Sequence, residues 1–247
     1  MIDTHAHLTA LDDPDEAVER AAAMGVTRIL TIGTDIEDCR RALVLAERHD
    51  GVHAILGIHP HEARTATADD IVELRELLQH PKAVAVGETG LDWFRDHAPR
   101  DDQRRLFAAE LQLAAEVEKP VVIHTRAADD DTLEALGDFA GTVVLHCFSS
   151  PRMLPTALGR NWYVSFAGNA TFPKAVDLRL AATEVPAERL LAETDSPYLA
   201  PQPVRGRRNE PANVVHTLAA LAHARDEDQS ELEQQIERNA TECFSLP

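Results

Sequence analysis

Cysteine is scarce in this chain of 247 residues, which has three: Cys39, Cys147 and Cys243. They form no C-x-x-C pair, and an odd number cannot all pair within one chain. A disulfide framework is therefore excluded, and the expected setting is a reduced, cytoplasmic one. No stretch approaches the about 18 consecutive apolar residues that a membrane helix needs. The start, MIDTHAHL, has no basic segment followed by an apolar core, so no signal peptide is expected. Low-complexity tracts, blocks of like charge and Gly/Ser linkers are missing as well, which favours one soluble domain over residues 1–247. Positive charge is short, with 24 Lys plus Arg against 42 Asp plus Glu and a net charge of −18. That excludes a broad cationic surface gripping duplex DNA and leaves room for local basic pockets. The glycine-rich phosphate loops G-x-G-x-x-G and G-x-x-x-x-G-K-[ST] do not occur, which speaks against a doubly wound nucleotide-binding sheet.

What is present is a regular alternation. Hydrophobic residues make up 44% and charged residues 27%, enough for a sizeable core. Short apolar, β-branched runs predict strands at 1–5, 28–34, 52–59, 83–88, 120–125, 142–148, 162–168 and 190–195. Helical patterns fall between them, at 14–24, 36–49, 68–80, 100–118, 129–139, 173–184 and 211–224. Asp13-Pro14 and Gly25 are start and stop signals for the first of these. The segment 150–160 reads as a weaker helix because Pro155 lies inside it. Eight strands alternating with helices over this length predict an α/β fold of the closed (β/α)8 TIM-barrel type.

Twelve histidines are the other unusual count. His5 and His7 stand in H-x-H spacing at the end of strand 1, and His59 and His61 repeat it after strand 3. Residues at i and i+2 point the same way along a strand, so each pair converges on one point. Glu88, His124, His146 and Asp195 end strands 4, 5, 6 and 8. In a (β/α)8 barrel those ends form the active-site mouth. One such histidine is an ordinary core or rim residue, and His49, His53, His80, His97, His216 and His223 are read that way. So many polar groups at one rim are costly to bury together without a ligand. Imidazole and carboxylate without thiolate suit a catalytic divalent metal rather than a closed structural zinc site. The metal-ligand candidates are His5, His7, Glu88, His124, His146 and Asp195. They exceed the needs of one ion and suggest two, with Glu88 as the expected bridge.

Seven motifs then appear in order: THAHL, GIHPH, GETGLD, VIHTR, LHCFS, ETDSPYLAP and RGRRNEPANV. Together they resemble the TatD family of metal-dependent deoxyribonucleases, among the amidohydrolase-like barrels. The resemblance covers essentially the whole chain. It implies a (β/α)8 fold, a divalent-metal site and hydrolysis of phosphodiester bonds, commonly as a 3′→5′ exonuclease on single-stranded DNA. The family's H-x-H matches His5 and His7, its glutamate Glu88, its later histidines His124 and His146, and its last aspartate Asp195. Ser150 and Trp93 depart from the family's frequent Gly and Tyr, and neither is a ligand.

The expected cofactors are two divalent ions per chain, with magnesium, manganese and zinc as candidates. They would activate a water whose hydroxide attacks phosphorus in line. Asp195 is either the proton acceptor or a ligand alone, and Glu88 and His61 complete the catalytic candidates. His59 and His61 are candidates to hold a phosphate oxygen. Arg126 lies on the face of His124 and, with Arg205, is placed to fork onto phosphate. Arg207 and Arg208 extend that cluster, ahead of a helix that Asn209 would cap. Trp93, Phe94 and Tyr198 are candidates to stack on bases, while Phe148 reads as core packing. Asp92 is expected to orient a histidine or a loop, and Cys147 to pack. The expected partner is a single-stranded DNA end or another phosphate-bearing substrate, with no membrane and no long duplex. The rival readings are a metal-dependent ester hydrolase, such as a D-aminoacyl-tRNA deacylase, and an idle barrel serving as a scaffold.

Overall fold

The apolar runs become strands buried along their length, as the strands of a parallel sheet covered on both faces must be. The computed structural model describes every residue except Asp96. Among the described residues eight strands lie in one sheet in chain order. They are β1 (Ile2–Ala6), β2 (Arg28–Gly33), β3 (Val52–Leu56), β4 (Ala83–Asp92), β5 (Val121–Arg126), β6 (Val143–Leu145), β7 (Tyr163–Phe166) and β8 (Leu190–Ala192). With helices between them, they give the (β/α)8 class that the sequence predicts. No helix among the described residues is long and apolar enough to cross a membrane.

Chain contacts group the residues into two compact units, Met1–Thr31 with His146–Pro247, and Ile32–Leu145. In the first, β1 pairs in parallel with β2 and β7 with β8, while Ala6 bridges to Ser196 just past β8. Its helices are α1 (Pro14–Ala23), α6 (Leu154–Gly159), α7 (Val176–Glu184), α8 (Val214–Arg225) and α9 (Gln229–Phe244). Asp13 accepts from the Glu16 amide at 3.0 Å to cap α1, and Gly25 leaves it at φ 84°. In the second unit β3, β4, β5 and β6 pair in parallel in that order. Its helices are α2 (Ile36–Arg48), α3 (Ala68–Leu77), α4 (Arg100–Glu116) and α5 (Asp129–Ala135). Asp35 caps α2, and Thr67 with Asp70 forms a capping box on α3.

Three expectations need correction. Helix α9 has no counterpart in the sequence reading, although Asp228 caps it and Leu232, Ile236, Ala240 and Phe244 line its buried side. Pro155 does not weaken α6, because it falls in the first turn, where no amide partner is needed. Strand β4 runs four residues beyond its expected end, so Glu88 lies inside the strand. Conversely β3, β6 and β8 stop early, and His59, His146 and Asp195 sit on the segments that leave them.

Candidate metal centre

In the first unit the donors gather around the exits of β1 and β8. His5 is fully buried and its ring stacks on His146, with centroids 3.9 Å apart. The potential ligand atoms of His5, His146 and Asp195 all lie within 4.8 Å of one another. His7 joins from just past β1, its Nε2 3.4 Å from Asp195 Oδ1. Burial pushes the Asp195 carboxyl upward, but His7, His146 and His5 outweigh it and hold the group below its usual range. The chain around Asp195 is tightly fastened. Its amide donates to the His5 carbonyl at 2.9 Å, and the His7 amide donates to Ser196 at 2.8 Å. Asp195 itself has φ 55°, and two other non-glycine residues beside candidate positions, Ala127 at 54° and Cys147 at 44°, share that left-handed backbone.

Glu193 is the residue that sequence reasoning missed here. Its Oε1 lies 3.1 Å from His146 Nδ1 and accepts from the Cys147 amide at 2.8 Å, while Ser165 donates to Oε2. A buried carboxylate behind an imidazole fixes the tautomer and ring orientation of a metal ligand. Its neighbours in sequence give no sign of this role. Asp3 holds the neighbouring backbone, accepting from the amide and hydroxyl of Thr194, and burial pushes its carboxyl up to about 8. Asn209 does not cap a helix as expected. It is buried and donates to the carbonyls of Thr194 (3.0 Å) and Tyr198 (2.7 Å), lashing the Asp195 loop from both sides.

In the second unit a group forms from His59, Glu88 and His124, again with ligand atoms within 4.8 Å of one another. Glu88 Oε1 is 2.7 Å from His124 Nδ1 and 3.5 Å from His59 Nε2. His59, expected to touch substrate, is thus placed among potential ligands. Burial pushes its imidazole down to about 4, against the pull of Glu88. It therefore keeps a lone pair at neutral pH, which is the form a metal binds. Asp92 stands behind the group, with Oδ2 3.2 Å from His124 Nε2 and 3.0 Å from His61 Nε2. Burial raises the Asp92 carboxyl, yet His124, His61 and the amides of Arg95 and Phe94 together hold it well below its usual range. His97, read as an ordinary histidine, brings its ring centroid within 4.5 Å of that of His61.

Glycine makes this group possible. Gly90 has φ 141°, and a Cβ there would lie 2.0 Å from the His124 carbonyl oxygen. Only a residue without a side chain lets β4 approach β5 so closely. Beneath the group, Glu110 of α4 is fully buried. It accepts from the Ile58 amide at 2.7 Å and the Thr89 hydroxyl at 2.6 Å, next to His59 and Glu88. Burial pushes its carboxyl up to about 8.

The expected substrate contacts divide. Tyr198 is 58% exposed and meets His7 edge-on, at 5.8 Å between centroids. Arg126 lies over the exposed Phe94 ring at 4.3 Å, and Arg205 over Phe172 at 3.7 Å. Arg208 is engaged with Asp12 and the Ala10 carbonyl. Phe148 is buried against Phe166, as core. Trp93 is committed elsewhere: Nε1 donates to Asp131 at 2.6 Å, and Arg100 and Arg104 lie over its ring at 4.8 and 5.2 Å.

The chain as a whole has counterparts among known proteins. Residues 2–245 match the family described as TatD related DNase. A Bacillus subtilis protein named "Uncharacterized metal-dependent hydrolase YabD" is 37% identical, over 100% of this chain and 99% of its own. The "3′-5′ ssDNA/RNA exonuclease TatD" of Citrobacter koseri is 35% identical over 100% and 99%. The crystal structure of YjjV, a TatD homologue from Escherichia coli, superposes with a TM-score of 0.94 at 30% identity, covering 100% of this chain and 98% of that one. A Saccharomyces cerevisiae protein described as an uncharacterized amidohydrolase shares the fold, with a TM-score of 0.86 at 19% identity over 98% and 99% of the two chains.

Proposed function

The chain belongs to the TatD-related DNase family of metal-dependent hydrolases, and from that premise we propose that it is a 3′→5′ exonuclease acting on single-stranded DNA. The observation that carries this reading is the pair of donor groups, His5–His146–Asp195 and His59–Glu88–His124, whose ligand atoms are each gathered within 4.8 Å. Imidazole and carboxylate without thiolate fit magnesium, manganese or zinc, and we assign one divalent ion to each group. His7 supports the first group. When bound, such ions polarise a phosphoryl oxygen and acidify a water.

The chain's own residues have separate tasks in the proposed reaction. Glu193 and Asp92 fix the orientation of His146 and His124. Asp195, held ionised, takes a proton from the attacking water, whose oxygen bonds to phosphorus as the P–O3′ bond breaks. The proton then passes to the leaving 3′ oxygen, which restores the carboxylate. His61 is held in place by donating from Nε2 to Asp92, and Arg126 and Arg205 supply positive charge to a chain of net charge −18. The substrate is accordingly a strand end rather than a long duplex. The cysteines are not joined in disulfides among the described residues, which suits the cytoplasmic setting we propose.

The test is to strip the protein with chelator, add back single divalent ions, and follow 3′-labelled single-stranded DNA beside D-aminoacyl-tRNA. Recovery of DNA hydrolysis, lost in Glu88→Gln and Asp195→Asn proteins that stay folded, supports the reading. Release of the aminoacyl group with DNA left intact would replace it by ester hydrolysis.

A further inference from the structure

Phe94 is the aromatic side chain that the second unit leaves open, with 62% of its surface exposed. A lone exposed aromatic would mean little, but the backbone of this one is hydrogen-bonded to Asp92. Its amide donates to Asp92 Oδ1 at 2.9 Å, and the Arg95 amide donates to the same oxygen at 2.8 Å. Gln103, fully buried, accepts from the Asp92 amide at 2.8 Å through Oε1 and donates to the Ala98 carbonyl at 2.9 Å through Nε2. The Trp93 amide donates to the Arg126 carbonyl at 2.9 Å, tying the turn to the end of β5. The other carboxylate oxygen of Asp92 holds His124 and His61. Phe94 is therefore two residues and one shared carboxylate away from the His59–Glu88–His124 group.

Arg126 adds charge to this surface. Its guanidinium lies 4.3 Å from the Phe94 centroid, and it follows His124 by two residues on β5. Arg95 lies 5.8 Å from the same ring. A fixed aromatic face with guanidinium beside it matches the chemistry of a nucleotide: a flat base to stack and a phosphate to pair. A base inside a duplex has both faces covered by its neighbours, so only an unpaired one can use such a face.

We propose that Phe94, with Arg126 against it, is the stacking platform that holds an unpaired nucleobase next to the phosphate being cut, and so sets the preference for single strands. The inference rests on the exonuclease reading above.

The experiment compares wild type, Phe94→Ala and Phe94→Trp on a 3′-labelled single-stranded oligonucleotide. A matching set replaces each of the last four bases in turn by an abasic tetrahydrofuran unit. Binding is measured in chelator by fluorescence anisotropy and turnover with added metal. Phe94→Ala is expected to lose roughly 5- to 150-fold in binding and in kcat/KM, mainly through KM, the range of one base–aromatic stack. Phe94→Trp should restore both. One abasic position should cost wild type a similar factor and cost Phe94→Ala almost nothing further. If wild type binds and cuts DNA but Phe94→Ala matches it on every substrate, the platform is refuted and the exonuclease reading survives. If wild type neither binds nor cuts the oligonucleotide, both fall together.

Discussion

Replacing Asp92 by asparagine removes one charge and leaves the shape of the side chain almost unchanged, so its effects report on proton positions. In the native protein Oδ1 is occupied by the amides of Phe94 and Arg95, and Oδ2 by the Nε2 atoms of His61 and His124. A carboxylate only accepts, so His124 donates from Nε2 to Asp92, and its Nδ1, 2.7 Å from Glu88, is the nitrogen that must be bare for a metal ion to bind. Asparagine has one accepting oxygen. If that oxygen serves the two amides, its NH2 group faces the imidazoles, and His124 must accept at Nε2. The proton then moves to Nδ1, where it blocks the atom that a metal ion would take. The side chain is 1% exposed, so solvent offers little relief. We expect Asp92→Asn to fold, to lose about 1–3 kcal/mol of stability and to bind zinc or manganese at this group about 10- to 100-fold more weakly. Urea denaturation in chelator gives the first quantity and isothermal titration the second. Wild-type metal affinity in a folded Asp92→Asn protein would refute the tautomer argument.

Two further predictions concern the framework. Glu110 releases its proton at about 8 in the folded chain, against an ordinary value of 4.5. The folded state thus binds the extra proton between those values, and stability falls as pH rises through that window, by up to about tenfold in the folding equilibrium per pH unit. Denaturant titrations from pH 5 to 8 should show a shallower decline in Glu110→Gln, and equal slopes would refute the assignment. Gly90→Ala should lose about 3 kcal/mol or more, or fail to fold, because its Cβ collides with the His124 backbone. Wild-type stability in that variant would contradict the close approach of β4 and β5.

The alternation of strands and helices was legible because parallel strands buried on both faces read as short apolar runs. The caps at Asp13 and Gly25 were legible because both act locally. Residues that act across the chain were not. Nothing near Glu193 in sequence reveals that it stands behind His146, and Glu110 reads as one more acidic position on an amphipathic helix. Asn209 looks like a helix cap because that is its commonest local use, whereas here it ties together the chain at Thr194 and Tyr198. His59 and His61 differ by two positions, yet burial gives the first to the donor group with Glu88 and leaves the second on Asp92. Trp93 and Phe94 show the same limit. Sequence marks both as aromatics beside Asp92, and only the structure shows that Trp93 donates to Asp131 while Phe94 is 62% exposed.

The left-handed residues Ala127, Cys147 and Asp195 have a bearing on how far this chain could be improved. A side chain in that backbone region costs about 1–2 kcal/mol relative to glycine. Three such residues adjoining functional positions mean that these turns are held less stable than the same fold would permit. Glycine at Ala127 would relax the turn with no ligand disturbed, so thermal tolerance and catalytic geometry are partly independent properties there. At Asp195 they are not, since the strained residue is itself a donor, and a directed-evolution experiment selecting for heat resistance should leave that position alone.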